Sequence, residues 1–196
     1  MKQIVTISRE FGSGGHEIAR KVAQQLGYKL YDNELILEIA KNTKLSKELI
    51  EFYDEKPSTK TFFPVKTESI KIVNENIPLE KQIFLAEKEI MENAAKNENC
   101  IFVGRCSNYI FKDHPNSMHI FIYSNLDNRI KRKMNILNKN YKDIQKLVEE
   151  QDKKRILYYK SNTNSEWGNK ANYDLCINSA NLSIDEIVDI IVKLIK

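Results

Sequence analysis

The chain has 196 residues, 41% hydrophobic and 30% charged, with a formal net charge of +4. That length accommodates one domain with a substantial core, and no apolar run approaches the roughly 20 residues that a membrane span needs. The charge is too small and too dispersed for a nucleic-acid surface, but it suits an anionic small ligand.

Residues 2–8 form an apolar, β-branched run that predicts a short buried strand. It breaks at Ser8-Arg9-Glu10, so it does not read as a secretory leader. Gly12-Ser13-Gly14-Gly15-His16 follows as a turn, and then Ile18, Ala19, Val22, Ala23 and Leu26 recur at helical spacing over 15–26. Gly27 caps that helix, 29–31 is extended, and Asp32 caps a further helix that begins with Leu35 and Ile36. A short helix is predicted over 46–53. Residues 54–78 hold three of the four prolines and read as a loop or a small mobile insert.

A long helix is expected over 79–96, its stripe including Ile83, Phe84, Ala86, Glu87, Ile90 and Met91. A second buried strand, 100–104, ends at Arg105, and a third runs over 118–123. Basic helices are expected over 125–138 and 143–159, then a last strand over 174–177. A closing helix starts near Ser183, with Glu186 three residues on as a capping box. Brief apolar strands separated by helices predict a parallel sheet between helical layers, a three-layer α/β/α fold spanning 1–196 as one domain. In such folds ligands bind beyond the C-terminal strand ends. Arg9, the glycine turn, Arg105, Ser124 and Asn125 all fall there.

Three of the six glycines lie at positions 12, 14 and 15. A glycine turn between strand and helix is a phosphate-binding device, because helix N–H groups and the positive dipole end meet an anion. The backbone of Gly12, Ser13, Gly14, Gly15, His16 and Glu17 supplies the expected donor site. The standard loop G-x-x-x-x-G-K-[ST] is absent, with Gly15 and His16 where its lysine and hydroxyl belong. Arg9 either replaces that cation or pairs with Glu10 or Glu17. His16, in the first helical turn, is a candidate phosphate or hydroxyl contact, and His16, His114 and His119 share no zinc-ligand spacing, so no metal site is predicted from protein ligands.

Arg105 follows a glycine that permits close approach and is a candidate ligand contact. Cys106 has no catalytic partner in sequence and reads as structural. The odd, separated Cys100, Cys106 and Cys176 suit a reduced cytoplasm. Arg129, Lys131, Arg132 and Lys133 on one helix, and Asp152, Lys153, Lys154 and Arg155 on the next, form either solvated faces or a lid over about 127–165.

Four blocks together resemble the cytidylate kinase-like group of nucleoside monophosphate kinases. They are 4–26, Phe102-Val103-Gly104-Arg105, 119–129, and 172–186 with its serine-rich turn. Within the resemblance, Arg9 takes the place of the loop's first glycine, Gly15 its lysine and His16-Glu17 its hydroxyl pair. Cys106 replaces an aspartate after Arg105, and Asp32 is the retained member of the acceptor motif. Asp152 and Arg155 are similar to the family's lid pairs. The resemblance implies a P-loop kinase fold and transfer of the ATP γ-phosphoryl group to a pyrimidine nucleoside monophosphate such as CMP, with Mg2+ bridging the donor phosphates. Arg9, Arg129, Arg132 and Arg155 would stabilise the transferring group, while Asp32, Arg105 and Asp152 would hold the acceptor. The competing readings are a non-catalytic nucleotide-binding module and a kinase of another small acceptor.

Overall fold

The computed structural model describes residues 4–36 and 78–196, with the side chains of Leu79 and Glu80 excepted. The helix expected over 46–53, the insert over 54–77 and the apolar positions Ile39 and Ala40 lie outside the described residues. Among the described residues, five strands form one wholly parallel sheet: β1 (Ile4–Arg9), β2 (Lys29–Tyr31), β3 (Cys100–Val103), β4 (Ser117–Tyr123) and β5 (Leu175–Asn178), in the order β2-β3-β1-β4-β5. The helices bounded among the described residues are α1 (Gly15–Leu26), α2 (Leu79–Asn97), the short α3 (Ser107–Ile110), α4 (Leu126–Leu137), α5 (Tyr141–Thr163) and α6 (Ile184–Ile195), and a further helix begins after Asp32 over 33–36.

Alternation along the strands divides the core between the two faces of the sheet. Val5 and Ile7 join Ile18 and Val22 of α1 and Ile187 and Ile191 of α6 in one buried cluster. Ile4, Cys100 and Phe102 pack on Ile90 and Met91 of α2, with Phe111 stacked 5.1 Å from the Phe102 ring. The result is a three-layer α/β/α fold, as the sequence pattern predicts. α4 and α5 form a helical lid with its own core of Ile130, Ile144 and Val148, and Phe11 from the glycine turn packs against it.

The local signals account for most of the boundaries. Gly27 closes α1 with φ 68°, its N–H donating to the Ala23 carbonyl. Ser183 and Glu186 form the reciprocal capping box of α6. α5 is longer than its apolar pattern indicates, because Asn140 accepts the Asp143 N–H at one end and Asn164 turns left-handed at the other. Helix α3 and a 3-10 turn over Lys170–Asn172 have no period for a sequence reading to detect. Parallel register aligns Arg9 with Ile122 and Ile7 with Val103, so the chain leaves β1, β3 and β4 at neighbouring points on one edge. No helix among the described residues is long and apolar enough to cross a membrane.

Candidate functional site

The turn after β1 is shaped by two left-handed glycines, Gly12 (φ 87°) and Gly14 (φ 88°). A Cβ on Gly12 would stand 2.8 Å from the Arg129 carbonyl oxygen, so the turn also needs glycine for close packing on α4. Beyond it, the N–H groups of Gly14, Gly15, His16 and Glu17 have no acceptor among the described residues. They converge at the positive end of α1, where an anion is favoured.

Arg9 crosses this turn. A Cβ on Gly15 would lie 2.5 Å from Arg9 Cβ and 2.9 Å from Cγ, and a Cβ on Gly104 would collide with Arg9 Nη1. The arginine stem therefore fills the volume where the standard loop's lysine begins, and its head lies over Gly104. Glycine at 15 and at 104 is the steric counterpart of arginine at 9. No carboxylate lies within ion-pair distance of Arg9 among the described residues. Burial, then Arg155 and Arg105, draw its pKa well below the ordinary guanidinium value, while Asp32 opposes them. Such a group is electrostatically short of an anion.

Two cavities meet at Arg9. A cleft of about 640 Å³ lies over the glycine turn and is walled by His16, Arg20, Arg132 and Lys133. A cavity of about 300 Å³ lies toward β3, walled by Asn33, Arg105, Lys154, Tyr158 and Trp167. Arg9 and Arg155 line both. Arg155 Nη1 donates to the Arg9 carbonyl at 2.7 Å, and its guanidinium lies 5.6 Å from the Phe11 ring centroid. Lys133 approaches the same ring at 4.6 Å, and burial followed by Arg132 and Arg155 lowers its pKa. Phe11 thus links two lid cations to the turn.

The other expected residues are engaged within the protein. Arg129 ion-pairs with Asp152, donates from Nη1 to the Phe11 carbonyl at 3.2 Å, and holds Nε 3.3 Å from Glu10 Oε2. Asp152 also accepts the Phe11 N–H at 2.8 Å, and Glu10 accepts the Ser124 N–H at 2.9 Å. Burial raises the Glu10 pKa, against the Ser124 bond and Arg129. This bracket fixes the glycine turn to β4 and the lid. Arg132 Nη2 is 2.5 Å from Glu17 Oε2 on the cleft rim. Asp32 lies 3.0 Å from His16 Nε2 and accepts the Leu35 N–H at 3.1 Å, so it caps its helix as expected. Burial raises its pKa, but the His16 and backbone hydrogen bonds outweigh that and hold it below the usual carboxylate value.

Gly104, Arg105 and Cys106 all have positive φ, 76°, 55° and 57°. This strained corner points Arg105 toward α2, where its Nη2 meets Glu87 Oε1 at 2.5 Å. Tyr158 donates its hydroxyl to Glu87 Oε2 at 2.6 Å, and the Arg105 guanidinium lies 5.1 Å from the Tyr158 ring centroid. Glu87 and Tyr158 carry no local sequence motif, and Glu87 reads as part of the apolar stripe of α2. Burial, then Glu87, pushes the Cys106 thiol up to about 12, consistent with a structural cysteine.

Among the described residues the cleft presents N–H groups and cations rather than free oxygen ligands for a magnesium ion. Magnesium takes hard oxygen ligands. The hydroxyl position holds His16, the nearby Asp32 carboxylate is engaged by His16 and the Leu35 N–H, and the Ser13 hydroxyl donates to the Glu10 carbonyl at 2.9 Å. Glu10, Glu17 and Asp152 each face an arginine. No group of three His, Cys, Asp or Glu side chains that could hold a metal occurs among the described residues.

Residues 4–181 match the profile described as the Cytidylate kinase-like family. A cytidylate kinase of Archaeoglobus fulgidus is 26% identical over 98% of this chain and 94% of its own length. Among solved structures, an uncharacterized protein from Eubacterium ventriosum superposes with a TM-score of 0.75 at 28% identity, covering 98% and 97% of the two chains. A shikimate kinase from Bacteroides thetaiotaomicron superposes at 0.54 and 13% identity, covering 97% and 96%, a likeness of fold alone.

Proposed function

The chain belongs to the cytidylate kinase-like family, and on that premise we propose that it transfers the γ-phosphoryl group of ATP to a small anionic acceptor, CMP being the first candidate. The observation that carries this reading is one guanidinium, Arg9, without a carboxylate partner among the described residues and lining two adjoining cavities. Phosphoryl transfer asks a protein mainly for positioning and for stabilisation of charge between donor and acceptor oxygens. In this reading the unpaired N–H groups of the glycine turn cradle the donor phosphates, and Arg9 and Arg155 attend the group in transit. Lys133 and Arg132 reach it from the lid, while Arg105 and Lys154 hold the acceptor's anionic end.

Among the described residues, the smaller cavity is lined by four cations (Arg9, Arg105, Lys154 and Arg155) and by no carboxylate. An alcohol acceptor wants a general base, whereas a phosphate oxygen brings its own negative charge. That favours a phosphomonoester. A second reading, a kinase of another small acceptor, is favoured by Asp32: the retained member of the acceptor motif is already engaged by His16 and the Leu35 N–H.

The test is ADP formation from ATP, with and without magnesium, against CMP, dCMP, UMP, AMP, GMP and shikimate. Turnover that depends on a nucleoside monophosphate supports the main reading. Turnover with shikimate alone moves the assignment to the second. Nucleotide binding by calorimetry without turnover on any acceptor leaves a non-catalytic binding module.

A further inference from the structure

Resting on the reading of the larger cleft as a triphosphate site, we infer that it takes the donor as the free polyanion, its charge balanced by side chains rather than by a divalent ion bound to the protein. Among the described residues, six basic side chains line the cleft (Arg9, Arg20, Lys21, Arg132, Lys133 and Arg155) against two acidic ones, Glu10 and Glu17. Both acids are already matched: Glu10 faces Arg129 and the Ser124 N–H, and Glu17 faces Arg132. Arg9 and Lys133 have no carboxylate within ion-pair distance among the described residues.

The cations are also held in place before any ligand arrives. Lys133 and Arg155 both lie over the Phe11 ring, at 4.6 Å and 5.6 Å from its centroid, and Phe11 packs against the lid's cluster of Ile130, Ile144 and Val148. Arg155 is fixed further by its 2.7 Å bond to the Arg9 carbonyl. Preorganised guanidinium groups bind phosphate oxygens bidentately and lose little entropy in doing so. A magnesium ion on the phosphates would cancel charge that these groups are positioned to meet. It would also sit close to cations that repel it, with His16 at the position where the loop's hydroxyl ligand is expected.

The experiment is calorimetric titration of the full chain with ATP in EDTA and in excess magnesium, with inorganic tripolyphosphate in EDTA as a base-free probe. ATP is expected to bind in EDTA at least as tightly as with magnesium, and tripolyphosphate to bind in EDTA. Lys133→Ala is expected to weaken metal-free binding about tenfold or more, and to affect the magnesium titration less. Arg132→Ala, at the exposed rim, provides a second variant whose folding is not at risk. ATP binding that appears only with magnesium, or is more than about tenfold tighter there, overturns this inference and leaves the proposed function standing. No binding of ATP or tripolyphosphate in either buffer overturns both.

Discussion

Arg129 and Arg9 approach the same glycine turn from opposite sides, yet they stand in opposite electrostatic conditions. Arg129 meets Asp152, Glu10 and the Phe11 carbonyl. Arg9 meets no carboxylate among the described residues, has Arg155 and Arg105 as neighbours, and opens onto two cavities. One guanidinium is a fastener whose charge is complete in the folded protein. The other is held in a state that an incoming anion would relieve. Proximity to the glycine turn therefore does not by itself decide the role of these two arginines: Arg129 is answered by two carboxylates and Arg9 by none among the described residues.

The largest expected consequence is a divergence in stability. Arg129→Ala leaves Asp152 and Glu10 without their cation and is expected to cost about 3–5 kcal/mol in urea unfolding. Arg9→Ala is expected to cost much less, since the packing lost from its stem against Gly15 is offset by relief of repulsion from Arg155 and Arg105. Equal losses in the two variants would erase the distinction. A smaller effect concerns the steric pairing. Gly15→Ala is expected to cost about 1–3 kcal/mol, from a Cβ forced onto the Arg9 stem, and much less in an Arg9→Gly background. Additive losses in that double-mutant cycle would show that the two positions are independent.

Glu87→Gln sharpens the comparison on the acceptor side. It weakens the hold on Arg105 and Tyr158, so the acceptor KM should rise about tenfold while the donor KM stays put. A matching rise in donor KM would mean a general loss of structure. The smallest effect is on Asp32, whose folded pKa lies below the usual 3.8. Its contribution is present above that value and is lost as pH falls through the depressed folded value. The stability gap between the protein and Asp32→Asn, followed by thermal unfolding, should therefore be constant near neutrality and close as the pH drops below about 4. A gap that widened on acidification would contradict the His16–Asp32 assignment.

The fold was legible where local chemistry decides it. The strand-turn-helix of 4–26, the Gly27 stop and the Ser183 capping box each rest on a few neighbouring residues. The site was legible in its centre and obscure in its supports. The glycine turn and Arg9 stand out because a phosphate loop without lysine poses an electrostatic question. The engagement of Arg129 with Asp152, and of Arg105 with Glu87 and Tyr158, depends on pairings across 23, 18 and 53 residues that no spacing rule encodes. Phe11 was the overlooked signal, an aromatic inside a glycine turn whose partners are cations of the lid.

The most direct test is steady-state kinetics of Arg9→Ala with both substrates varied, using the best acceptor from the panel. Because Arg9 lines both cavities, KM for ATP and KM for the acceptor should rise together, and kcat should fall about 10²–10³-fold with the protein still folded at the assay temperature. Unaltered kcat, or a change confined to one substrate, would contradict the account of Arg9 as the shared contact between donor and acceptor.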